Sequence, residues 1–424
     1  MSERSSATSD ATAFAGHRPG SPAYRRLSIA LFAAGLATFA QLYSTQPVLP
    51  DLATAFSLSP ATSALSVSAA TLGLGIALLV VGPVTERRGR TPLMHASLAA
   101  SSVVGVLCAV APTWPLLLGL RVLQGVTLAG LSAVAMAYLR EEVHPEAHGR
   151  ASGLYIGGTA LGGMAGRLLA SGVGDVAGWR WAVGAVALLG IACTVVVRLL
   201  LPVSQGFVPA PAGRAALWEN TRHVLGDRAL LLLYALAALA MGGFVATYNA
   251  LGFRLAAAPY GLSLGLAGLV FLSYALGSVS STLAGRAADR FGRRAVVPVG
   301  VLVAVAGLAL TLAEPLWLVV VGVAVETIGF FAAHGVASGW VSARAHLGGG
   351  GTGQASSFYL FAYYVGSSVF GSVSGLAWTS GGWARVVTVV GGVFVLALLV
   401  SLALRRVPSL LEPRGGAAGD AAAH

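Results

Sequence analysis

The chain has 424 residues, of which 56% are hydrophobic and only 10% charged, and its mean hydropathy is +0.80. No soluble domain of this length hides so much apolar surface, so lipid must be the solvent for much of it. The net charge of +11 is carried by arginine alone, in short loops between apolar runs rather than in a continuous stripe, which argues against a nucleic-acid binder.

Residues 1–24 are polar and rich in Ser and Ala, without the charged start, short apolar stretch and cleavage site of a signal peptide. They are expected to form a disordered cytoplasmic tail. Twelve apolar runs follow, each close to the roughly 20 residues that cross ~30 Å of hydrocarbon. They lie at 27–49, 61–84, 92–112, 115–139, 151–172, 180–202, 228–252, 262–285, 295–313, 315–341, 354–376 and 384–404. The polar stretch at 203–227 holds Arg214, Glu219, Arg222 and Asp227 and reads as a cytoplasmic linker. The expected domains are thus an N-terminal half at 25–202 and a C-terminal half at 228–406, with a second cytoplasmic tail at 407–424. Cys108 and Cys193 both fall inside apolar runs, with no metal-ligand spacing, so no metal or cofactor is expected.

Loop charge sets the orientation. With the N-terminus inside, 21 Arg fall in the tails, the even-numbered loops or their helix ends, and only Arg180, Arg254 and Arg385 fall on the other side. Both termini are therefore expected in the cytoplasm, and the chain is expected as a multi-pass protein of the cytoplasmic membrane. Trp114, Trp179, Trp181, Trp317, Trp378 and Trp383 all land at the expected outer interface, where amphipathic rings prefer to sit.

A short basic loop occurs twice, at 82–90 after span 2 and at 285–293 after span 8, so its copies start 203 residues apart. The first copy presents Gly82, Glu86, Arg87, Gly89 and Arg90; the second presents Gly285, Asp289, Arg290, Gly292 and Arg293. A repeat at half the chain length, built of apolar segments, means two similar membrane halves, the usual architecture of a secondary transporter.

These loops match the signature loop of the major facilitator superfamily, with Glu86 in place of Asp in the first copy. Span 4 carries Arg121, Gln124 and Gly125, similar to the arginine motif of that family. Span 5 carries Gly158, Gly162 and Gly163, which resemble the antiporter motif of its twelve-span drug/proton antiporters, with Thr159 where Pro is expected. The opening Gln41-Leu-Tyr-Ser-Thr-Gln46-Pro47 looks like its arabinose-efflux-like branch. The resemblance implies an all-α membrane protein of 12 helices in two pseudo-symmetric halves, without enzymatic activity and expected as a monomer. It also implies that the two loops act as a conformational latch, and that spans 1, 4, 7 and 10 line a central cavity. The glycines Gly82 and Gly285 are expected to let spans pack closely there, with the adjacent acid paired to Arg.

Glu326 is the only carboxylate well inside an apolar run, about eleven residues or roughly 16 Å into span 10. An ionised carboxylate there costs several kcal/mol unless paired or hydrated, so its protonation depends on what occupies the site. That is the requirement for proton coupling. His334, eight residues on with Phe330 between, is its companion candidate. An intramembrane Arg normally faces a wet cavity or a partner, which singles out Arg121, with Gln124 one turn on, and Arg167, with Asp175 as a possible local partner. Polar and aromatic residues at helical spacing add Gln41, Tyr248, Asn249, Tyr359 and Tyr363 to the substrate-cavity candidates.

The expected function is proton-coupled efflux of a small organic molecule: a drug, a sugar-like compound or a metabolite. An importer of the same fold, proton-coupled or facilitative, is the alternative, because direction is barely encoded in sequence. An integral membrane enzyme would need a catalytic constellation, and no HExxH, Gly-x-Ser-x-Gly with partners or nucleotide loop is found.

Overall fold

Hydrocarbon offers the backbone no hydrogen-bond partners, so each apolar run must satisfy its own N–H and C=O groups, and a helix does so. The structure is a computed structural model; it describes residues 14–207 and 214–408, the side chains of 82–88 and 214–217 excepted. The first half is built of α1 (Pro22–Leu42), α2 (Leu49–Ala55), α3 (Pro60–Arg88), α4 (Arg90–Ala109), α5 (Trp114–Glu142), α6 (His148–Ala177) and α7 (Trp179–Leu200). Helix α8 (Arg214–Gly226) lies in the linker. The second half is built of α9 (Arg228–Ala256), α10 (Leu264–Gly268), α11 (Tyr274–Phe291), α12 (Arg293–Leu310), α13 (Leu316–Leu347) and α14 (Thr352–Leu404).

Among the described residues, nine helical stretches are long and apolar enough to cross a membrane, one of them running from α10 into α11. Helix α14, at 53 residues, is too long for one crossing and breaks at Gly381 and Gly382, so it makes two. Helices α1 and α6 have the length of a crossing, but Arg25 and Arg26 dilute one and Arg150, Arg167 and Asp175 the other. Nine, plus the second part of α14, plus α1 and α6, give twelve. An even number puts both chain ends on one face, called here the terminal face; the opposite one is the far face.

Two expected spans are altered. The run 27–49 ends as a helix at Leu42, because Pro47 and Pro50 cannot continue it, and the short α2 follows. The run 262–285 is interrupted by a 3₁₀ stretch at Leu269–Ser273, just where Gly268 passes Ser171 of α6 too closely for a side chain. Of the expected tail at 1–24, residues 1–13 lie outside the described residues. Residues 14–21 are pinned, because the His17 N–H donates to Glu142 O (2.7 Å) and the His144 N–H donates to His17 O (3.1 Å). The linker is pinned at its start too. The buried Glu142 carboxylate accepts from the Ser204 hydroxyl and from the Gln205 and Gly206 N–H groups at 2.6–2.8 Å.

Glycines set the helix spacing where it is tightest. Gly158 and Gly162 sit one turn apart on α6, and a side chain at either would run into the carbonyl oxygen of Phe32 or Leu36 on α1. In both copies of the repeated loop one glycine ends a helix and begins the next: Gly89 (φ +81°) joins α3 to α4, and Gly292 (φ +83°) joins α11 to α12. Those joints need a backbone that glycine adopts at no steric cost. The halves meet chiefly through α3 against α14, and through α6 against α10 and α11.

Candidate substrate and proton site between the halves

The halves are sewn together toward the far face. Ser68 of α3 donates to Ser368 O of α14 (2.8 Å), and its hydroxyl also meets that of Ser372 (2.9 Å). One turn deeper, the Thr71 and Ser368 hydroxyls meet at 2.8 Å. At the far edge Ser263, which caps α10, donates to Asp175 of α6 (3.2 Å). A residue at Gly375 carrying any side chain would collide with the backbone at Ala61. The structure is therefore a state closed on the far face.

Arg167 anchors a chain of hydrogen bonds across this seam. Its Nε donates to Gln46 Oε1 (2.6 Å), the Gln46 amide donates to Asn249 Oδ1 (2.7 Å), and the Asn249 amide donates to Gly371 O (3.1 Å). Its Nη1 donates to Gly163 O, one turn back toward the terminal face (2.6 Å). The guanidinium carbon lies 4.2 Å from the Tyr43 ring centre, 4.7 Å from Tyr274 and 5.4 Å from Phe271. The expected partner Asp175 is not used; it bonds Ser263 instead, at the helix end, beyond the reach of a side chain that leans the other way. A small cavity of about 140 Å³ opens beside this chain, with Gln46, Ser171, Tyr248 and Phe271 in its wall.

Glu326 lies deeper in the C-terminal half and is fully buried. Thr247 of α9 donates to its Oε1 (2.7 Å), and Oε2 has no hydrogen-bond partner. No arginine or histidine pairs with it among the described residues. One residue on, Thr327 shares the Tyr248 hydroxyl (2.8 Å) with Ser273 (2.6 Å). His334 does not reach Glu326. The Phe330 ring stacks on it, and its Nδ1 meets the Tyr359 hydroxyl (3.0 Å) beside the Tyr363 ring. The C-terminal half thus presents a continuous aromatic ribbon, from Phe271 through Tyr248, Phe244 and Phe330 to His334.

Arg121, Gln124 and Gln41 land elsewhere. All three are buried within the N-terminal half, where the Arg121 guanidinium donates to Ser66 O (2.9 Å), Gln41 O (3.1 Å), Leu42 O, the Ser44 hydroxyl and Gln124 Oε1. The Gln124 amide in turn approaches Gln41 Oε1 (3.4 Å). This arginine ties α5 to the frayed end of α1 and to α3, and it leaves no donor pointed at a cavity.

The repeated loops carry little of their expected contact in this state. Gly82, Glu86 and Arg87 fall within 82–88, outside the residues whose surroundings are described. Arg90 pairs with Glu141 at the end of α5 (2.9 Å), within its own half. Gly285 faces open space rather than a neighbouring helix, Asp289 is exposed and has no ion pair among the described residues, and Arg290 lies over Phe291. The expected close packing at Gly285 is absent, because the halves meet on the far face instead. Arg293, first in α12, is half-buried.

Sequence reading missed Gln46, Tyr43, Thr247 and Tyr274. Gln46 lies in the motif within span 1, but its partner Asn249 is 203 residues away. It also left Arg180 and Arg254 as exceptions on the far face. Arg180 donates to Ala109 O and Ala111 O at the end of α4, and Arg254 to Thr311 O and Ala313 O at the end of α12. Both cap carbonyls that a helix cannot satisfy itself.

The family model for the Major Facilitator Superfamily matches residues 27–254 and 249–422. An inner membrane transport protein of Escherichia coli (strain K12), YnfM, is 41% identical over 387 residues, covering 91% of this chain and 92% of that protein. An uncharacterized MFS-type transporter of Bacillus subtilis (strain 168), YybF, is 37% identical, covering 94% and 98%. Among solved structures, a bacterial homolog of the human lysosomal transporter Spinster, inward-facing and occupied, matches with a TM-score of 0.76 at 17% identity, covering 91% of this chain and 97% of that one. A D-xylose-proton symporter matches with a TM-score of 0.75 at 15% identity, covering 91% and 98%. These two show the fold alone.

Proposed function

Because the chain belongs to the major facilitator superfamily and is a membrane transporter, we propose that it exports a small organic molecule from the cytoplasm in exchange for protons, as a monomer with both termini in the cytoplasm. The orientation rests on the arginine asymmetry between loops. On that orientation the far face is the outside, and the state described is closed to it.

One observation carries the coupling: Glu326, a buried carboxylate with a single hydroxyl donor and a free oxygen. Thr247 has one proton to give, and two acceptors within reach, Glu326 Oε1 (2.7 Å) and Gly243 O (3.2 Å). When Glu326 takes a proton it becomes a donor, and Thr247 can turn its own hydrogen to the α9 carbonyl. The α9–α13 contact then changes without any movement of charge pairs. The hydroxyl ladder of Ser68, Thr71, Ser368 and Ser372 breaks and reforms as the halves rock. Hydroxyl bonds suit that role, because each contributes only about 1 kcal/mol net.

The test is flux in reconstituted vesicles, wild type beside Glu326→Gln, over a panel of antibiotics, sugars and organic anions. A proton-driven flux of at least one compound, lost in the variant, is expected. If the variant matches wild type, Glu326 does not carry the proton. If an inward proton gradient drives the compound in the same direction as the proton, the carrier is an importer.

A further inference from the structure

We infer that the substrate is an organic anion, bound by Arg167 with its anionic group near the midplane. This deepens the reading above and rests on the chain being a carrier.

Arg167 is 2% exposed and has no carboxylate partner; the three ion pairs among the described residues all lie at the terminal face. Its partners are a glutamine oxygen and a main-chain carbonyl, which lower the charge's cost without neutralising it. Among the described residues its Nη2 has no acceptor. Because the side chain leans back to Gly163, the charge sits near the middle of the 30-residue α6, and hence deep in the membrane. Arg121, equally buried, gives its hydrogens to fixed oxygens. The two arginines therefore differ: one is spent on structure, the other keeps a donor.

The neighbours of Arg167 are donors as well. The Tyr43 and Ser367 hydroxyls are buried side by side, and neither has any further hydrogen-bond partner among the described residues. Buried polar groups are seldom left so. One cation with a free N–H and two buried hydroxyls bonded at most to each other complement an oxyanion, and a planar carboxylate or sulfonate fits the guanidinium fork. The rings of Phe271 and Tyr274 come from the other half, so rocking uncovers the guanidinium. The aromatic ribbon running from them offers flat apolar faces, which favours an anion with an aromatic body.

The experiment measures binding to the purified full-length chain of matched pairs differing only in charge: benzoate against benzamide, and benzenesulfonate against benzenesulfonamide. We expect each anion to bind at least tenfold more tightly than its amide. Arg167→Gln should abolish the preference, and Tyr43→Phe, which removes one hydroxyl and keeps the ring, should cut anion binding about three- to tenfold while leaving the amides unchanged. Should Arg167→Gln fail to fold, Tyr43→Phe decides. Equal binding of anions and amides, no binding of either anion, or an undiminished preference in the variants overturns the inference. Proton-linked flux of a neutral compound under those outcomes would leave the transporter reading standing, whereas indifference of flux to Glu326→Gln would remove Glu326 from the coupling and leave the anion site untouched.

Discussion

Arg121 in the N-terminal half and Glu326 in the C-terminal half are both fully buried, and the two are held very differently. Arg121 gives hydrogen bonds to oxygens of Ser66, Gln41, Leu42, Ser44 and Gln124, all within its own half. Glu326 has one hydroxyl donor and an idle oxygen. The first arrangement is a brace: removing it leaves several carbonyls orphaned. The second is a switch, since few bonds must be broken to change its state. Glycines differ in the same way: Gly162 of α6 is pressed on the Leu36 carbonyl of α1, as Gly366 of α14 is on the Ala238 carbonyl of α9, while Gly285 faces open space.

The contrast can be broken by substitution, most forcefully at the glycines. Gly162→Leu should prevent assembly of the N-terminal half, because the obstacle is the Leu36 carbonyl rather than a yielding side chain, and the cost should exceed the 1–3 kcal/mol of ordinary overpacking. The same change at Gly285 should leave yield and thermal unfolding in detergent near wild type. If both behave alike, the difference in packing between these two glycines is wrong. At the charges, Arg121→Met should cost about 3 kcal/mol or more of stability, whereas Glu326→Gln should stay within about 1 kcal/mol. Thermal unfolding of the two variants side by side checks this.

A smaller effect sharpens the account of the seam. Asn249→Ala removes the link from Gln46 to Gly371 and should favour opening of the far face by about 1 kcal/mol, or about fivefold. A single cysteine at Ser171, labelled by a membrane-impermeant reagent, should react correspondingly faster. An unchanged rate would mean that the chain of amides does not hold the far face shut.

The smallest effect concerns Asp227, at the terminal face, where it caps α9 and pairs with Arg344 (2.8 Å). Burial alone would raise its pKa, but the hydrogen bond from Arg344, the Ala229 N–H, the Arg344 charge and the Leu230 N–H together hold it below the ordinary carboxylate value. A depressed folded pKa stabilises the protein above the unfolded value, about 4, and that contribution is lost as pH falls through the folded value. Thermal stability should therefore fall less steeply on acidification in Asp227→Asn than in wild type. Parallel profiles would show that the pair contributes nothing.

Much of this was legible in the sequence, and the reasons are local. Span length and the arginine bias are properties of consecutive residues, so the twelve crossings and the two halves could be read directly. Glu326 stood out because an acid inside an apolar run has no ordinary explanation. Networks were not legible. Ser68 meets Ser368 across 300 residues, and Gln46 meets Asn249 across 203. Nothing in either neighbourhood names the other. Arg121 and Arg167 look alike in sequence, as single charges in apolar helices, and only their acceptors separate a brace from a free donor. The latch residues are a different case: contacts of that kind depend on which face is closed, and one sequence serves both states.

The central claim, that Glu326 ties the rocking of the halves to a proton, is tested most directly by comparing two modes of transport in one vesicle preparation. Glu326→Gln should still exchange labelled for unlabelled substrate at equilibrium, since the halves can rock, but should no longer accumulate substrate against its gradient when a proton gradient is imposed. Accumulation at the wild-type level in that variant would contradict the account.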